Sequence, residues 1–176
     1  MRFDMLVTLL KELHSRRGGK EPLVVVEVGV FIGKLSRFLL QRCDFIKLVG
    51  VDPYIGSDDT FPGKSDLDPN AAFAEATGVF EQHGGRASLM PMTSEAAAAT
   101  LQDGSIDAIF IDGCHLYDCV RQDFELWMPK MRRDVETLVS GHDFSPMWPG
   151  VVRAVHEQRP GQSVQLSTDW MFWWFQ

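Results

Sequence analysis

Cysteine is scarce in this sequence of 176 residues: Cys43, Cys114 and Cys119 are the only three, and no C-x-x-C pair occurs. An odd, unpaired set excludes a disulfide framework and leads us to expect reduced thiols in a cytoplasmic setting. Cys114 and Cys119 lie close to His115, but their spacing fits no common zinc pattern. No run of roughly 18 apolar residues is present, so no helical membrane span is expected. Positive charge is also short, with 17 Lys and Arg against 24 Asp and Glu and a net charge of −7. Nucleic acid and anionic membranes recruit proteins through a positive field, so neither is expected as a partner. The opening MRFDMLVTLLKELHSRR has helical apolar spacing and no small-residue cleavage site, so no secretory leader is expected there. Linkers, repeats and composition breaks are missing too. The expectation is one domain over 1–176, with 1–19 as an N-terminal helix packed on it.

What is present is a 45% hydrophobic composition, enough for a core at this length. Its centre is LVVVEVGVFIGKLS, residues 23–36. A continuous apolar run of this kind predicts a strand buried on both faces. Gly29 and Gly33 then let the backbone turn sharply and approach a ligand, and the following helix opens with free N–H groups aimed into the gap. Further apolar runs predict strands at 45–52, 87–92, 105–112, 135–139, 163–166 and 170–175. Helices are expected over 3–17, 33–43, 69–83, from Ser94 as cap to 101, 115–131 and 150–158. The stretch 54–70 is rich in Gly, Pro, Asp and Ser and is expected to be a loop over the site. Alternating strands and helices imply an α/β chain with a mostly parallel sheet covered on both faces.

Ligands of such sheets bind beyond the carboxyl ends of the strands. Here successive strands end in Glu27 and Gly29, in Asp52, in Asp112, and in His142-Asp143. Asp52 follows Glu27 by 25 residues, close to the spacing of a ribose-binding acid behind a glycine loop. The third position of G-V-F-I-G carries no glycine, which speaks against an NAD-dependent oxidoreductase, because a pyrophosphate needs a small residue there. His115 and His142 are candidates for proton transfer. For His115, a role in orienting Asp112 or a bond to a helix N-terminus remains open. The aromatics Trp170, Phe172, Trp173, Trp174 and Phe175 fall on both faces of one strand, which suggests core packing plus a homodimer interface.

The motifs V-E-V-G-x-x-x-G, V-G-V-D-P, S-I-D-x-x-F-I-D-G-x-H-x-Y, G-H-D-F and P-G-V-x-x-A-V follow one another over 22–175. Together they resemble class I S-adenosylmethionine-dependent methyltransferases, in the small branch that includes macrocin O-methyltransferase-like and cephalosporin-hydroxylase-like proteins. The resemblance implies a Rossmann-like, doubly wound sheet of about seven strands, the last antiparallel. It implies S-adenosylmethionine as cofactor, with Glu27, Gly29 and Gly33 at its methionine end, Asp52 on the ribose, Thr93 and Ser94 near the adenine, and Asp112 beside the sulfonium. It also implies a divalent cation such as magnesium at Asp112, His142 and Asp143, although His142 stands where an oxygen ligand is usual. The implied reaction is methylation of a small hydroxylated acceptor, with Asp112, His115 and His142 as catalytic residues. Tyr54, Phe144 and Trp148 would face the acceptor. The alternative is a non-catalytic binding protein on the same fold.

Overall fold

Val25 and Val26, on opposite faces of the central strand, are both buried, as a strand covered on two sides requires. A computed structural model describes residues 2–55 and 68–176. The central strand is β1 (Leu23–Val28), which follows α1 (Arg2–Arg16) and leads into α2 (Lys34–Arg42) and β2 (Ile46–Val51). The chain continues through α3 (Pro69–Glu81), β3 (Ala87–Met90), α4 (Ser94–Thr100), β4 (Ala108–Ile111) and α5 (Tyr117–Trp127). It ends with β5 (Leu138–Gly141), α6 (Pro149–Gln158), β6 (Gln165–Leu166) and β7 (Phe172–Phe175).

These strands form one seven-stranded sheet in the order β3-β2-β1-β4-β5-β7-β6. β1 pairs in parallel with β2 from Leu23↔Ile46 to Val28↔Val51, and with β4 on its other side. β7 alone runs antiparallel to its neighbours β5 and β6. The order reverses between β1 and β4, and this switch point opens a crevice at the carboxyl ends. Leu23 and Val25 pack with α1, α2 and α3, while Val26 and Val28 pack with α4, α5 and α6.

Several boundaries differ from expectation for local reasons. α5 stops at Trp127 because Pro129 sits in a 3-10 turn over Met128–Lys130. Thr93, not Ser94, caps α4, its hydroxyl accepting the N–H of Ala96 at 3.3 Å. The aromatic strand is not at the sheet edge: β7 lies between β5 and β6. Phe172 and Trp174 pack toward α5 and α6, while Trp173 and Phe175 pack on the α1 side. Both aromatic faces are therefore used inside the chain, with Trp173 and Phe175 only partly buried. The loop expected over 54–70 lies mostly outside the described residues. Among the described residues no helix is long and apolar enough to cross a membrane.

At the amino ends of the strands, Asp107 is almost fully buried. It pairs with Arg17 just beyond α1, and its Oδ2 accepts the N–H of Val24 at 2.7 Å. This carboxylate ties α1, β1 and β4 together. Asp107→Asn is expected to lower stability by about 2 kcal/mol, the usual loss for hydrogen bonds to a charged group. Urea denaturation measures it, and a change within error would show that the tie contributes nothing.

Candidate active site

The turn leaving β1 is tight because β4 closes directly against it. Gly29 has φ +88°, and a Cβ there would stand 2.2 Å from the carbonyl oxygen of Asp112. Gly33 has φ +72° and begins α2 in the left-handed region. Both glycines are thus required by the chain's own backbone, before any ligand is considered. Asp52 holds this turn: Oδ2 accepts the N–H groups of Val30 (3.0 Å) and Phe31 (2.8 Å), and Oδ1 accepts that of Tyr54 (2.9 Å). The acid and the glycine turn share one rim, as a nucleoside site needs. Three amides already occupy most of the roughly four acceptor directions of the carboxylate, so Asp52 is first an anchor of the loop.

Glu27 does not line an open surface. It is buried beneath α2, accepting the Ser36 hydroxyl at 2.6 Å. Burial pushes its carboxyl up to about 8, with Asp112 and Asp52 adding to the rise and the Ser36 bond opposing it. Ser94 stands at the first position of α4, just past the carboxyl end of β3. Its side chain bonds the buried carboxyl of Asp123 on α5, which burial raises to about 6.

On the other side of the switch point, Asp112, His115, His142 and Asp143 converge. His115 Nε2 lies 2.8 Å from Asp143 Oδ2, and His142 Nδ1 lies 3.1 Å from Asp143 Oδ1 and 3.7 Å from Asp112 Oδ1. Asp143 itself has φ +62°, a conformation unusual outside glycine, and such departures cluster at working sites. Burial would raise its pKa, but hydrogen bonds and charge from His115 and His142 outweigh that and hold the carboxyl far below the usual range. Burial pushes Asp112 up to about 6, against the pull of His142 and Arg2. For His142, burial lowers the pKa, yet Asp143 and Asp112 prevail and the imidazole sits above its ordinary value.

The donor set differs from the expected one. One ligand atom each from Asp112, His115 and Asp143 lies within 4.8 Å of the others, a grouping that brings His115 to the acids expected to act with His142. His142 stays beside the same acids through Nδ1, while its Nε2 lies 2.7 Å from the carbonyl oxygen of Asp169. Trp148 stacks on His115 with centroids 4.0 Å apart. Gly150 permits this: a Cβ there would meet Tyr117 N at 2.6 Å and His115 O at 2.7 Å, so α6 can start hard against the His115 turn. Phe144 packs on Phe172 and Tyr54 on Phe73, so of the three expected acceptor aromatics Trp148 alone joins the cluster. Leu116 and Met147, exposed on loops of the same rim, were not singled out from the sequence.

A cavity of about 500 Å³ lies at the opposite end of the sheet, among Phe124, Met128, Arg132 and Gln176, with Glu125 as its one acid and no histidine in its lining. Beside Asp112, His115 and His142 the closed space is only about 10 Å³. Chemistry and topology favour the carboxyl rim over the larger hollow.

Residues 26–144 match the model of the methyltransferase domain family. The chain belongs to that family. It is an S-adenosylmethionine-dependent methyltransferase with the Rossmann-like fold of its class. No curated protein matches the chain. Among solved structures it is similar to the O-methyltransferase NovP, with TM-score 0.71 and 19% identity over 98% of this chain and 78% of that one. A putative caffeoyl-CoA O-methyltransferase from Staphylococcus aureus aligns with TM-score 0.67 and 14% identity, over 99% of this chain and 82% of the other. The cofactor-bound protein Rv0187 from MTB gives TM-score 0.65 and 13% identity, over 98% and 78%.

Proposed function

We propose that this methyltransferase acts on oxygen, methylating a hydroxyl of a small acceptor held at the rim beside Trp148. The observation that carries the reading is the pair formed by His115 and Asp143 at 2.8 Å, next to Asp112 and across the switch point from the glycine turn. S-adenosylmethionine, when bound, supplies a methyl group already activated by the sulfonium charge. The Asp52-anchored turn at Gly29 fits such a ligand, because it sets an acid beside a sharp backbone bend at the carboxyl rim. Acceptance of a proton falls to His115. Asp143 accepts the Nε2–H of His115 and so fixes its tautomer and the direction of the ring. Asp112, half-buried between the two halves of the site, supplies negative charge where the cationic donor approaches. Trp148 and the rest of the rim bring the acceptor to the donor, which is the larger part of catalysis for an activated methyl.

A second reading rests on the three donor groups Asp112, His115 and Asp143. They fit a divalent cation, whose charge would lower the pKa of the acceptor hydroxyl. One imidazole among carboxylates suits manganese or another transition ion at least as well as magnesium.

Calorimetry with S-adenosylhomocysteine and a methyl-transfer assay over hydroxylated small molecules, each with and without EDTA, test these readings together. Binding and chelator-resistant turnover are expected from the His115 reading, and chelator-sensitive turnover from the cation reading. Binding without turnover on any acceptor would favour a non-catalytic role, and no binding at millimolar ligand would overturn the cofactor assignment.

A further inference from the structure

The first turn of α1 reaches the reacting end of the sheet, although α1 precedes every strand of the domain. Arg2 Nη1 lies 3.0 Å from Nε2 and 3.4 Å from Nδ1 of His142, so the guanidinium rests against the imidazole. A second connection runs through the turn before β7. The backbone N–H of Arg2 bonds the Asp169 carboxylate, which also accepts the Ser167 hydroxyl, while the Asp169 carbonyl oxygen receives His142 Nε2 at 2.7 Å. The ring of His142 is thereby held on its face and at one nitrogen. Its other nitrogen, Nδ1, meets Asp143 Oδ1 at 3.1 Å, and the remaining oxygen of Asp143 meets His115 Nε2 at 2.8 Å.

From this continuous chain of contacts we infer that Arg2 is a positioning residue: it acts through His142 to set the direction of the Asp143 carboxylate, and so the tautomer and aim of His115. The inference rests on the His115 reading above and extends it to the N-terminal helix. The physical need is plain. A short carboxylate side chain on a left-handed backbone has no helix or strand to fix its rotamer, and its Oδ2 faces His115 only while Oδ1 is held. His142 supplies that hold, and an imidazole tethered at one nitrogen alone can swing about χ2. Arg2 and Asp169 stop the swing from two directions. Arg2 therefore belongs to the catalytic centre rather than to the cofactor side, which is built on β1 and β2.

The test follows the Nε2–H proton of His115 by NMR in protein carrying 15N-labelled histidine, the signal being assigned by its loss in His115→Gln. In the unaltered protein a hydrogen-bonded downfield proton is expected at Nε2. Arg2→Met, which keeps an unbranched side chain and removes the charge, should broaden the signal beyond detection, and Arg2→Lys should retain it. Affinity for S-adenosylhomocysteine should be the same in all three proteins. Arg2→Ala serves as a second deletion of the clamp if the methionine variant does not fold. A signal unchanged in Arg2→Met, or lost equally in Arg2→Lys, overturns the inference. Failure of the unaltered protein to bind S-adenosylhomocysteine would instead count against the cofactor assignment and leave the NMR result to be read by itself.

Discussion

Gly29→Ala is expected to destabilise the protein by about 3 kcal/mol and to abolish binding of S-adenosylhomocysteine. Two costs add at this position. An L-residue forced into the left-handed region loses roughly 1–2 kcal/mol, and overpacking a closed site adds about 1–3 kcal/mol. The second cost is unavoidable because the added carbon would stand 2.2 Å from a backbone oxygen of Asp112, and backbone at the end of a paired strand cannot rotate away as a side chain can. Relief by moving Asp112 would drag apart the two halves of the site, so binding should fail even in molecules that stay folded. Gly18, at φ +87° with nothing within 4 Å, provides the control: alanine there meets the conformational cost alone. Urea denaturation of the two variants separates the terms. A Gly29→Ala protein no less stable than Gly18→Ala would show that β4 does not press on the glycine turn.

His115→Gln is expected to cut turnover by about 10²–10⁴-fold, the usual contribution of a positioned base, with affinity for S-adenosylhomocysteine retained. The pH profile carries an independent signature from Asp112, whose carboxyl burial lifts to about 6 from a model-peptide value of 3.8. Above that pH the group is a carboxylate and the cluster is intact. As pH falls through about 6 it takes up a proton, its negative charge is lost, and turnover should fall with it. Stability moves the other way. The folded chain binds this proton more tightly than the unfolded chain does, so the group's contribution to folding grows more favourable as pH drops from about 6 toward 3.8. Asp112→Asn should remove both trends, abolishing turnover while sparing the cofactor site. Full activity in that variant would remove Asp112 from the centre.

The strand-end acids were legible because a buried parallel strand leaves so few reasons for a charged residue at its tip. Asp52, Asp112 and Asp143 all reach the one rim that the alternation of strands and helices predicts. The roles of individual groups were less legible. Glu27 and Gly29 look alike in the sequence whether they serve a ligand or the chain, and distances alone show that Ser36 bonds the first and the Asp112 backbone closes on the second. The meeting of His115 and His142 at Asp143 has the same origin. Their ring directions depend on Asp169 and Trp148, residues 27 and 33 positions away along the chain.

By itself the sequence determined the class of sheet, its mostly parallel sense, the position of the central strand and the rim at which chemistry gathers. Those follow from short-range periodicity and from turn residues, which act within a few positions of themselves. Tertiary structure alone decided that β7 is interior, that Asp143 is shared by two histidines, and that Arg2 closes on His142 from 140 positions away. Such choices are made by close contacts between elements remote in the chain, and no local pattern of residues records them.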